Sequence, residues 1–369
     1  TLFRSIGIGS LFTRGLNQGV DFVGGRNYVV EFKQDVSTTE IANSLEEEYL
    51  TPPEVKTFGG DNQVKITTKY LIETNNDKEI ASITPQDINS IEGYTDFVLK
   101  NKYTDMTEEQ LSEAYSEYVK GKENPNFNDF TAYLIQKNQF DIDQVVERKL
   151  YNGLQAELTE DVGFETFMNS YRKSSQKVGP TIADDIKSGA FYATIFALIA
   201  MFIYIFIRFR NWQFGLGALA ALVHDVLIVL GLFSLLYGIL PFSLEIDQAF
   251  IAAILTVVGY SLNDTVVVFD RIREYLTKAK RYERKQLYNN ALNSTISRTF
   301  STSLSTFFVL LAIFIFGGEV IRGFIFALLV GVIVGTYSSL FIATPVVFDT
   351  HSAQTTEDTK PSKKRKKRK

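Results

Sequence analysis

Five long apolar stretches in the second half of the chain constrain its fold more than any other feature. Each comes close to the roughly 20 residues that an α-helix needs to cross the hydrocarbon core of a bilayer. Runs of this length and number are typical of membrane spans and exceed what the core helices of one water-soluble domain require. The sequence therefore predicts a polytopic α-helical membrane protein. The stretches are 189–207, 214–240, 249–269, 299–316 and 321–348.

Basic residues lie on one side of this set of stretches. Arg208 and Arg210 follow the first stretch, seven Lys or Arg residues lie between 271 and 285, and the tail at 361–369 is almost entirely Lys and Arg. The two remaining connections carry neither residue type. Because loops rich in Lys and Arg stay in the cytoplasm, we expect the basic segments there and the polar N-terminal half outside.

The outside location of the N-terminal half requires a crossing before it. Only twelve residues precede Thr13 and Arg14, too few to span a bilayer. They also lack the basic start and the long apolar centre of a signal peptide. We interpret residues 1–18 as the remnant of a first transmembrane helix and expect further sequence upstream.

The region 19–185 carries the local signals of a folded domain. A strand pattern at 27–32 is followed by Ser37 and Glu40, whose spacing matches a capping box that opens a helix. A strand pattern at 64–70 follows, and the β-α-β-β order predicts an α+β domain outside the membrane. Further helices are expected at 107–119, 128–137 and 143–154, a returning strand at 164–172, and a helical, acidic insertion at about 74–140.

The five-helix membrane region is predicted at 186–348, and a basic cytoplasmic tail at 349–369. The tail sets the topology and is suited to contact anionic lipid headgroups, an attraction of about 1 kcal/mol per basic residue near the surface. We expect no nucleic acid partner for a basic segment attached to a membrane domain.

Composition and motifs argue against an enzyme. The chain has no cysteine and two histidines, which excludes thiolate and His-rich metal sites. The sequence contains neither a G-x-S-x-G motif nor a Gly-rich phosphate loop. We expect no metal and no cofactor, and we interpret the α+β domain as an interaction module.

The third apolar stretch contains polar residues where the bilayer makes them expensive. An ionisable side chain at the bilayer centre costs roughly 2.5–3.5 kcal/mol on insertion scales, so such groups face a bundle interior and find partners. Tyr260, Asn263 and Asp264 recur at helical spacing and predict one polar face, with Thr265 beside them. Gly259 on the same helix predicts a close approach by another helix.

A matching polar face is predicted where the fourth stretch begins. Ser297, Arg298, Ser301 and Thr302 carry it. Antiparallel helices joined by a cytoplasmic loop would bring Asp264 and Arg298 to a similar depth, so we expect the two to pair.

Spacing alone leaves two interpretations of the Asp264–Arg298 pair open. One is a structural ion pair that sets the register of two helices. The other is a proton relay, because burial disfavours a charged carboxylate while a nearby arginine favours it, and the balance can allow proton exchange near neutral pH. His224 and Asp225 form a second intramembrane pair. Hydrogen bonding within the bundle competes with a role in proton transfer for both residues.

Seven motifs together resemble the SecF family, in order and at family spacing. They cover the stretch from Gly19 to Gly25 and most of the chain from Val178 to Pro345. The motifs are GVDFVGG (19–25), VGPTI (178–182), HDV (224–226), GYSLNDTVVVFDRIRE (259–274), SRT (297–299), FGGEVIRGF (316–324) and GTYSSLFIATP (335–345).

The resemblance implies a six-helix half of a larger bundle akin to the RND superfamily, in the bacterial inner membrane, with the α+β domain in the periplasm. It implies a partnership with SecD and the Sec translocon channel, in which proton flow drives domain motion that promotes translocation of unfolded exported chains. Protons are then the coupling ion. By this resemblance Asp264 and Arg298 take part in proton transport, and Gly19, Asp21, Gly24 and Gly25 form the family motif at the base of the domain.

Two departures from the family pattern matter. The first helix is nearly absent, which favours the SecF half of a fused SecDF chain, and the insertion at about 74–140 lengthens the periplasmic domain. Two alternative functions stay open: a passive scaffold that holds SecD to the channel, and a proton-driven efflux protein of the RND type.

Overall fold

The chain folds into two compact units. The computed structural model describes residues 2–73, 76–122, 124–158, 162–240, 242–278 and 283–358. One unit is Gly19–Ile186, and the other comprises the residues before Gly19 and after Ile186. The predicted basic run at 361–369 lies outside the described residues.

A four-stranded antiparallel sheet forms the framework of the first unit. The strands are β1 (Gly25–Glu31), β2 (Glu54–Phe58), β3 (Gly60–Thr68) and β4 (Arg172–Val178), in the order β2-β3-β1-β4. Helix α1 (Leu2–Thr13) precedes this unit. The helices of the unit are α2 (Val20–Val23), α3 (Thr38–Tyr49), α4 (Asp77–Ala81), α5 (Ile91–Lys100), α6 (Glu108–Tyr118), α7 (Phe127–Gln136), α8 (Ile142–Leu154) and α9 (Phe164–Thr166).

Local signals account for most of these elements. Ser37 accepts a hydrogen bond from the backbone N–H of Glu40 and caps α3, and Thr107 and Gln110 form a complete capping box at α6. The expected strand at 164–172 is wrong. A π-helical turn, Phe167–Tyr171, follows α9, and the strand begins only at Arg172. The buried residues Phe167 and Tyr171 lie four positions apart, a spacing that places two side chains on one face of either a helix or a strand, so the pattern did not exclude the helical form.

The helices α4 to α7 occupy the region of the predicted insertion and share one hydrophobic core with the sheet. Aromatic rings dominate their contacts: Phe127 stacks on Tyr94 and on Tyr115, with ring centroids 5.1 and 5.3 Å apart. Phe130 is fully buried beside them. Ring pairs of this kind add about 0.5–1.5 kcal/mol each beyond their buried area, so the insertion is an integral part of the folded unit.

Seven helical segments lie in the described part of the second unit, and they confirm the polytopic fold. Five of the described segments are long and apolar enough to cross a membrane, the last running from Glu319 to His351. Besides α1 they are α10 (Pro180–Phe209), α11 (Trp212–Leu236), α12 (Gln248–Lys278), α13 (Arg284–Phe316), α14 (Glu319–Ser338) and α15 (Thr344–Asp358), with a π-helical turn at Ser339–Ala343 between the last two.

These helices extend past the apolar stretches that predicted them. Helix α12 has 31 residues and α13 has 33, whereas a span needs about 20. The charged end of α12 remains helical because Glu274 pairs with Arg271 at i−3 and with Lys278 at i+4, both at favourable helical spacing. The ends of both helices therefore project beyond the hydrocarbon thickness.

Two glycines of α14 let that helix lie directly against α12. A Cβ atom at Gly331 would lie 2.0 Å from Cγ2 of Val257, and one at Gly335 would lie 3.0 Å from Cβ of Ser261. Small residues allow such close helix contacts in membranes. No described helix of this chain makes the close approach expected at Gly259, since a Cβ there would meet nothing within 4 Å.

Helix α1 packs along α11 through a second small-residue contact. A Cβ atom at Gly231 would lie 3.0 Å from the backbone of Gly7. The hydroxyls of Ser10 and Ser234 are hydrogen-bonded at 2.9 Å. Arg14 then donates to two backbone carbonyls at the end of α11, at 2.9 and 3.2 Å. The segment interpreted as a helix remnant is thus docked on the bundle.

Candidate functional site

Asp225 is the most deeply buried carboxylate of the membrane helices, with no exposed surface. Its Oδ2 accepts hydrogen bonds from the hydroxyls of Ser261 on α12, at 2.6 Å, and Ser338 on α14, at 2.7 Å. Its Oδ1 lies 3.0 Å from Nδ1 of His224. The carboxylate of α11 therefore ties three helices together.

His224 joins this cluster through one ring nitrogen. Its side chain is 8% exposed, and the second nitrogen, Nε2, has no hydrogen-bond partner in the part of the chain that the structure describes. The ring of Tyr337 on α14 lies 6.3 Å away, centroid to centroid. The predicted pair of His224 and Asp225 is formed, and its role in proton transfer stays a prediction.

Asp264 is also buried, with 3% of the residue exposed. Its Oδ2 accepts a hydrogen bond of 3.2 Å from the hydroxyl of Ser303 on α13. Thr336 on α14 in turn donates to Ser303 at 2.6 Å. A chain of two hydroxyls therefore connects the carboxylate on α12 to two other helices.

The expected ion pair between Asp264 and Arg298 is not formed. Arg298 is exposed and has no ion pair within 4 Å among the described side chains. The reason is the rotation of α13. Successive residues of a helix point about 100° apart, and the side chain that faces the carboxylate is Ser303. A role for Arg298 in proton transport stays a prediction.

The predicted polar face of α13 points out of the unit. Ser297, Ser301 and Thr302 are exposed, and the hydroxyls of Ser301 and Thr302 bond backbone carbonyls of their own helix. Thr295, Thr299 and Ser303, spaced four apart, are buried instead. Hydroxyl residues surround this part of the helix, so the spacing of any subset did not identify the inner face.

The predicted face of α12 is divided in the same way. Asn263 is exposed, whereas Asp264 is buried. Tyr260 is half-buried and donates to Thr306 at 3.4 Å. Thr265 is buried and donates to the carbonyl of Ser261 at 3.0 Å. Ser261 itself was not among the predicted site residues, although it bonds Asp225.

The four residues of the predicted motif at the base of the α+β domain bring α2 and β1 together. Gly24 and Gly25 have φ angles of 71° and 140°, which side chains rarely tolerate, and a Cβ at Gly25 would lie 3.0 Å from the carbonyl of Thr68. Gly19 precedes α2, and Asp21 accepts a hydrogen bond from Gln176 of β4 at 2.8 Å. These contacts explain the glycines by backbone geometry.

A buried arginine lies next to this motif. Arg26 donates to the carbonyls of Tyr70 and Leu71, at 2.9 and 3.0 Å, and pairs with Asp143 of α8 at 2.5 Å. Lys177 also donates to Asp143, at 2.7 Å. Burial raises the pKa of Asp143, but the hydrogen bonds from Lys177 and Arg26 outweigh it and leave the pKa below its usual value.

A neighbouring ion pair has the opposite balance. Glu147 of α8 pairs with Arg172 of β4. Burial raises the pKa of Glu147 above its usual value, and the arginine only partly offsets it. Within the described ranges, no group of three or more His, Cys, Asp or Glu side chains could hold a metal ion. The polar clusters of this chain are therefore hydrogen-bond networks and ion pairs.

A bundle of membrane-spanning helices that buries two carboxylates, together with an α+β domain that begins at a double glycine, defines a polytopic membrane protein with a folded domain outside its helices. Residues 159–353 match the family model described as protein export membrane protein SecD/SecF, C-terminal, and residues 9–36 match the SecD/SecF GG motif. The chain belongs to the SecF family, which confirms the resemblance seen in the sequence.

Two relatives show how far the similarity extends. The protein translocase subunit SecF of Rhodothermus marinus is 39% identical over 340 residues, covering 92% of this chain and 85% of the relative. That of Haemophilus influenzae is 33% identical over 348 residues, covering 94% and 81%.

Solved structures share the fold. The crystal structure of SecDF from Thermus thermophilus, a translocon-associated membrane protein, superposes with a TM-score of 0.64 at 26% identity, covering 95% of this chain. SecDF in a super-membrane-facing form superposes with a TM-score of 0.54 at 25% identity. The chain spans 37% and 38% of the length of these two SecDF chains.

Proposed function

We propose that this chain is a subunit of the bacterial protein translocase that works with SecD in the inner membrane. Proton movement through its helices drives motion of the periplasmic α+β domain, which promotes translocation of unfolded exported chains. The observation that carries the proposal is the burial of Asp264 and Asp225 between membrane-spanning helices, each on hydroxyl partners. The relatives named as SecF translocase subunits support the same role.

Buried carboxylates are suited to this task because their charge is costly inside a membrane. Groups of this kind mark proton and ion pathways in membrane proteins. Asp264 has one hydroxyl donor, Ser303, and no ion pair within 4 Å among the described side chains. Each proton that crosses supplies about 2.3 kcal/mol per 100 mV of membrane potential, comparable to breaking a few weak contacts of a chain in a channel.

Arg298 is the proposed switchable partner of Asp264. Its side chain is exposed and makes no ion pair with the other described residues, so it is not tied to another acid. When Asp264 is ionised, the arginine is attracted to it. When Asp264 takes up a proton, that attraction is lost and the arginine is released.

The exposed polar surface of α12 and α13 supports SecD as the partner. Asn263, Ser297, Arg298 and Ser301 are exposed on helices that cross the membrane. Polar groups facing lipid are costly, and such groups normally face other helices or a water-filled path. We therefore infer that helices of SecD cover this surface, either as a separate subunit or as the other half of a fused chain.

The structure also favours one alternative function. Both oxygens of Asp225 are hydrogen-bonded, and this carboxylate ties α11 to α12 and α14. Such an arrangement suits a structural role. A passive scaffold for SecD and the channel is therefore the second candidate, in which both carboxylates serve only to hold helices together.

Substitution of Asp264 distinguishes the two functions. Asp264→Asn keeps the size and one acceptor oxygen but cannot exchange a proton, and Asp264→Glu keeps the acid. The matched control is Asp270→Asn, on the same helix but only half-buried, where it pairs with Arg208 and Arg273 at 2.8 Å. Precursor export and its dependence on the proton gradient are measured in membrane vesicles at matched protein levels.

Loss of gradient-dependent export in Asp264→Asn, with export retained by Asp270→Asn, is the expected result. If Asp264→Asn exports as well as the parent and still responds to the gradient, the proton relay is wrong and the scaffold role is favoured.

A further inference from the structure

Helix α14 is hydrogen-bonded to the surroundings of both buried carboxylates through positions two residues apart. Thr336 bonds Ser303, which bonds Asp264. Ser338 bonds Asp225 directly at 2.7 Å. The glycines of α14 hold this part of the helix against α12, so the hydroxyls have little freedom to move away from their partners.

The hydroxyl protons around an ionised Asp264 have one consistent arrangement. An ionised carboxylate only accepts hydrogen bonds, so Ser303 must donate its single proton to Asp264. The Ser303 oxygen is then free to accept, and Thr336 donates to it at 2.6 Å. The carbonyl of Val332, 2.8 Å from the Thr336 hydroxyl, receives no proton from it in this state.

Protonation of Asp264 allows the reverse arrangement. A protonated carboxyl group is a donor, so it can donate to Ser303, and Ser303 can donate to the oxygen of Thr336. Thr336 then turns its own proton to the carbonyl of Val332, one turn earlier in α14. One proton is gained at Asp264, and each hydroxyl keeps one proton. The hydrogen bond between Asp264 and Ser303 and the one between Ser303 and Thr336 both change direction.

We propose that Ser303 and Thr336 are positioning residues of Asp264, and that Thr336 is the point at which proton uptake by Asp264 acts on α14. The inference rests on the proposed function. Ionised Asp264 draws the Thr336 hydroxyl toward α13, and protonated Asp264 releases it to its own helix. Ser338, donating to Asp225, keeps the next part of α14 anchored in both states.

The helix is irregular directly after this point. The π-helical turn Ser339–Ala343 separates α14 from α15, and the hydroxyl of Thr344 bonds the carbonyl of Ser339 at 3.1 Å, five residues back. Such turns interrupt the regular helical ladder and are frequent at functional sites. A change at Thr336 therefore acts on a helix that can adjust within one turn.

The charged groups around Asp264 are few. Helix α13 contributes one charged side chain between 286 and 316, the exposed Arg298. From α11, the pair of His224 and Asp225 reaches α12 at Ser261, one turn before Asp264. Helix α14 contributes no Asp, Glu, Lys, Arg or His between 323 and 338. The response of α14 must therefore pass through hydroxyl groups.

The test removes the Thr336 hydroxyl with little change of shape. Thr336→Val deletes the hydroxyl, and Thr336→Ser keeps it. Thr194→Val is the control, because the hydroxyl of Thr194 on α10 bonds only the carbonyl four residues back in its own helix, at 2.9 Å. The full chain with SecD is assayed for gradient-driven export across a pH series. The C=O stretching band of protonated Asp264, assigned by its absence in Asp264→Asn, is recorded by infrared spectroscopy of the purified chain in lipid.

We expect Thr336→Val to lower gradient-driven export about threefold to tenfold, the effect of one lost hydrogen bond, to displace the pH midpoint, and to shift the C=O band. Thr336→Ser should resemble the parent in all three measurements, and so should Thr194→Val. A wild-type band and pH profile in Thr336→Val would overturn the inference.

A second variant covers a failure of Thr336→Val to fold. Ser303→Ala removes the direct hydrogen-bond partner of Asp264, so it must shift the same C=O band. An unshifted band would refute the proposed hydrogen-bond connection from Asp264 through Ser303 to Thr336. The outcome is separable from the proposed function. If Asp264→Asn retains gradient-driven export, the proposed function itself is wrong. If Asp264→Asn loses export while Thr336→Val has the export, pH profile and C=O band of the parent, only the role of Thr336 is refuted.

Discussion

The contact between α12 and α14 gives the sharpest prediction about stability. Replacing Gly331 by alanine places a Cβ atom 2.0 Å from Cγ2, 2.7 Å from Cγ1 and 2.9 Å from Cβ of Val257. Carbon atoms in favourable contact are about 3.5–4.0 Å apart. Rotation of the valine side chain moves its two methyl groups but not its Cβ, so the helices themselves must separate.

The magnitude follows from two opposing effects. Overpacking of a close contact costs about 1–3 kcal/mol, while alanine gains about 0.8–1 kcal/mol over glycine within a helix. Since all three distances are below normal contact, we expect the upper part of the overpacking range and a net loss of about 1–2 kcal/mol. Gly259→Ala is the matched control on α12, because its Cβ would meet nothing within 4 Å, and it should retain or raise stability.

Thermal unfolding in detergent micelles measures this difference, with Val257→Ala as the compensating change. Val257→Ala removes the two methyl groups nearest to the new Cβ. The Gly331→Ala/Val257→Ala double variant should therefore be more stable than the sum of the single effects by at least about 1 kcal/mol. If Gly331→Ala is as stable as Gly259→Ala, or if the two substitutions are additive, the close crossing described here is wrong.

Three further predictions concern polar contacts. Arg26→Gln should lower the free energy of unfolding by about 2–4 kcal/mol, because two buried carbonyls and a carboxylate lose their donor. The control Lys173→Gln, at an exposed ion pair, should change the free energy of unfolding by at most about 1 kcal/mol. Because the pKa of Asp143 is lowered in the folded state, the contribution of Asp143 to stability is present above its unfolded pKa of about 4 and is lost as the pH falls through the folded value. The difference in free energy of unfolding between the parent and Asp143→Asn, measured by denaturant unfolding, should therefore disappear below about pH 4. A difference that stays constant with pH would contradict this. Arg14→Gln removes two hydrogen bonds to α11 and the stacking on Tyr237, so proteolysis of the N-terminal helix should become faster while the rest of the chain stays protected.

Much of the fold could be predicted because its signals are local. Apolar length predicted the spans, the cap residue Ser37 predicted one helix start, and the helix expected at 107–119 begins next to its cap Thr107. The strand expected at 164–172 failed because a short stretch with two buried aromatics fits either periodicity. Its helical form depends on packing against the core that α8 and the sheet provide.

The candidate site was predicted in part. Asp225 and Asp264 were identified because a carboxylate in an apolar stretch is costly and therefore conspicuous. Their hydroxyl partners were missed because placing serine or threonine in a membrane helix costs little free energy, since the hydroxyl can bond the carbonyl four residues back. The motif that contains Thr336 and Ser338 was recognised as a family feature, but nothing in its spacing indicated which carboxylate each residue would meet.

The sequence by itself determined the five long apolar helices, the α+β order and the two buried acids, since apolar length, local pattern and the cost of burying a carboxylate do not depend on neighbours. The tertiary structure alone decided which side chains face those acids. Rotation of α13 by one residue replaces Arg298 with Thr299 and Ser303 on the inner side. That rotation is set by how the helices pack against one another, as at Gly331 and Val257. In a helix with hydroxyl residues on every side, the spacing of those residues does not indicate which face packs inward.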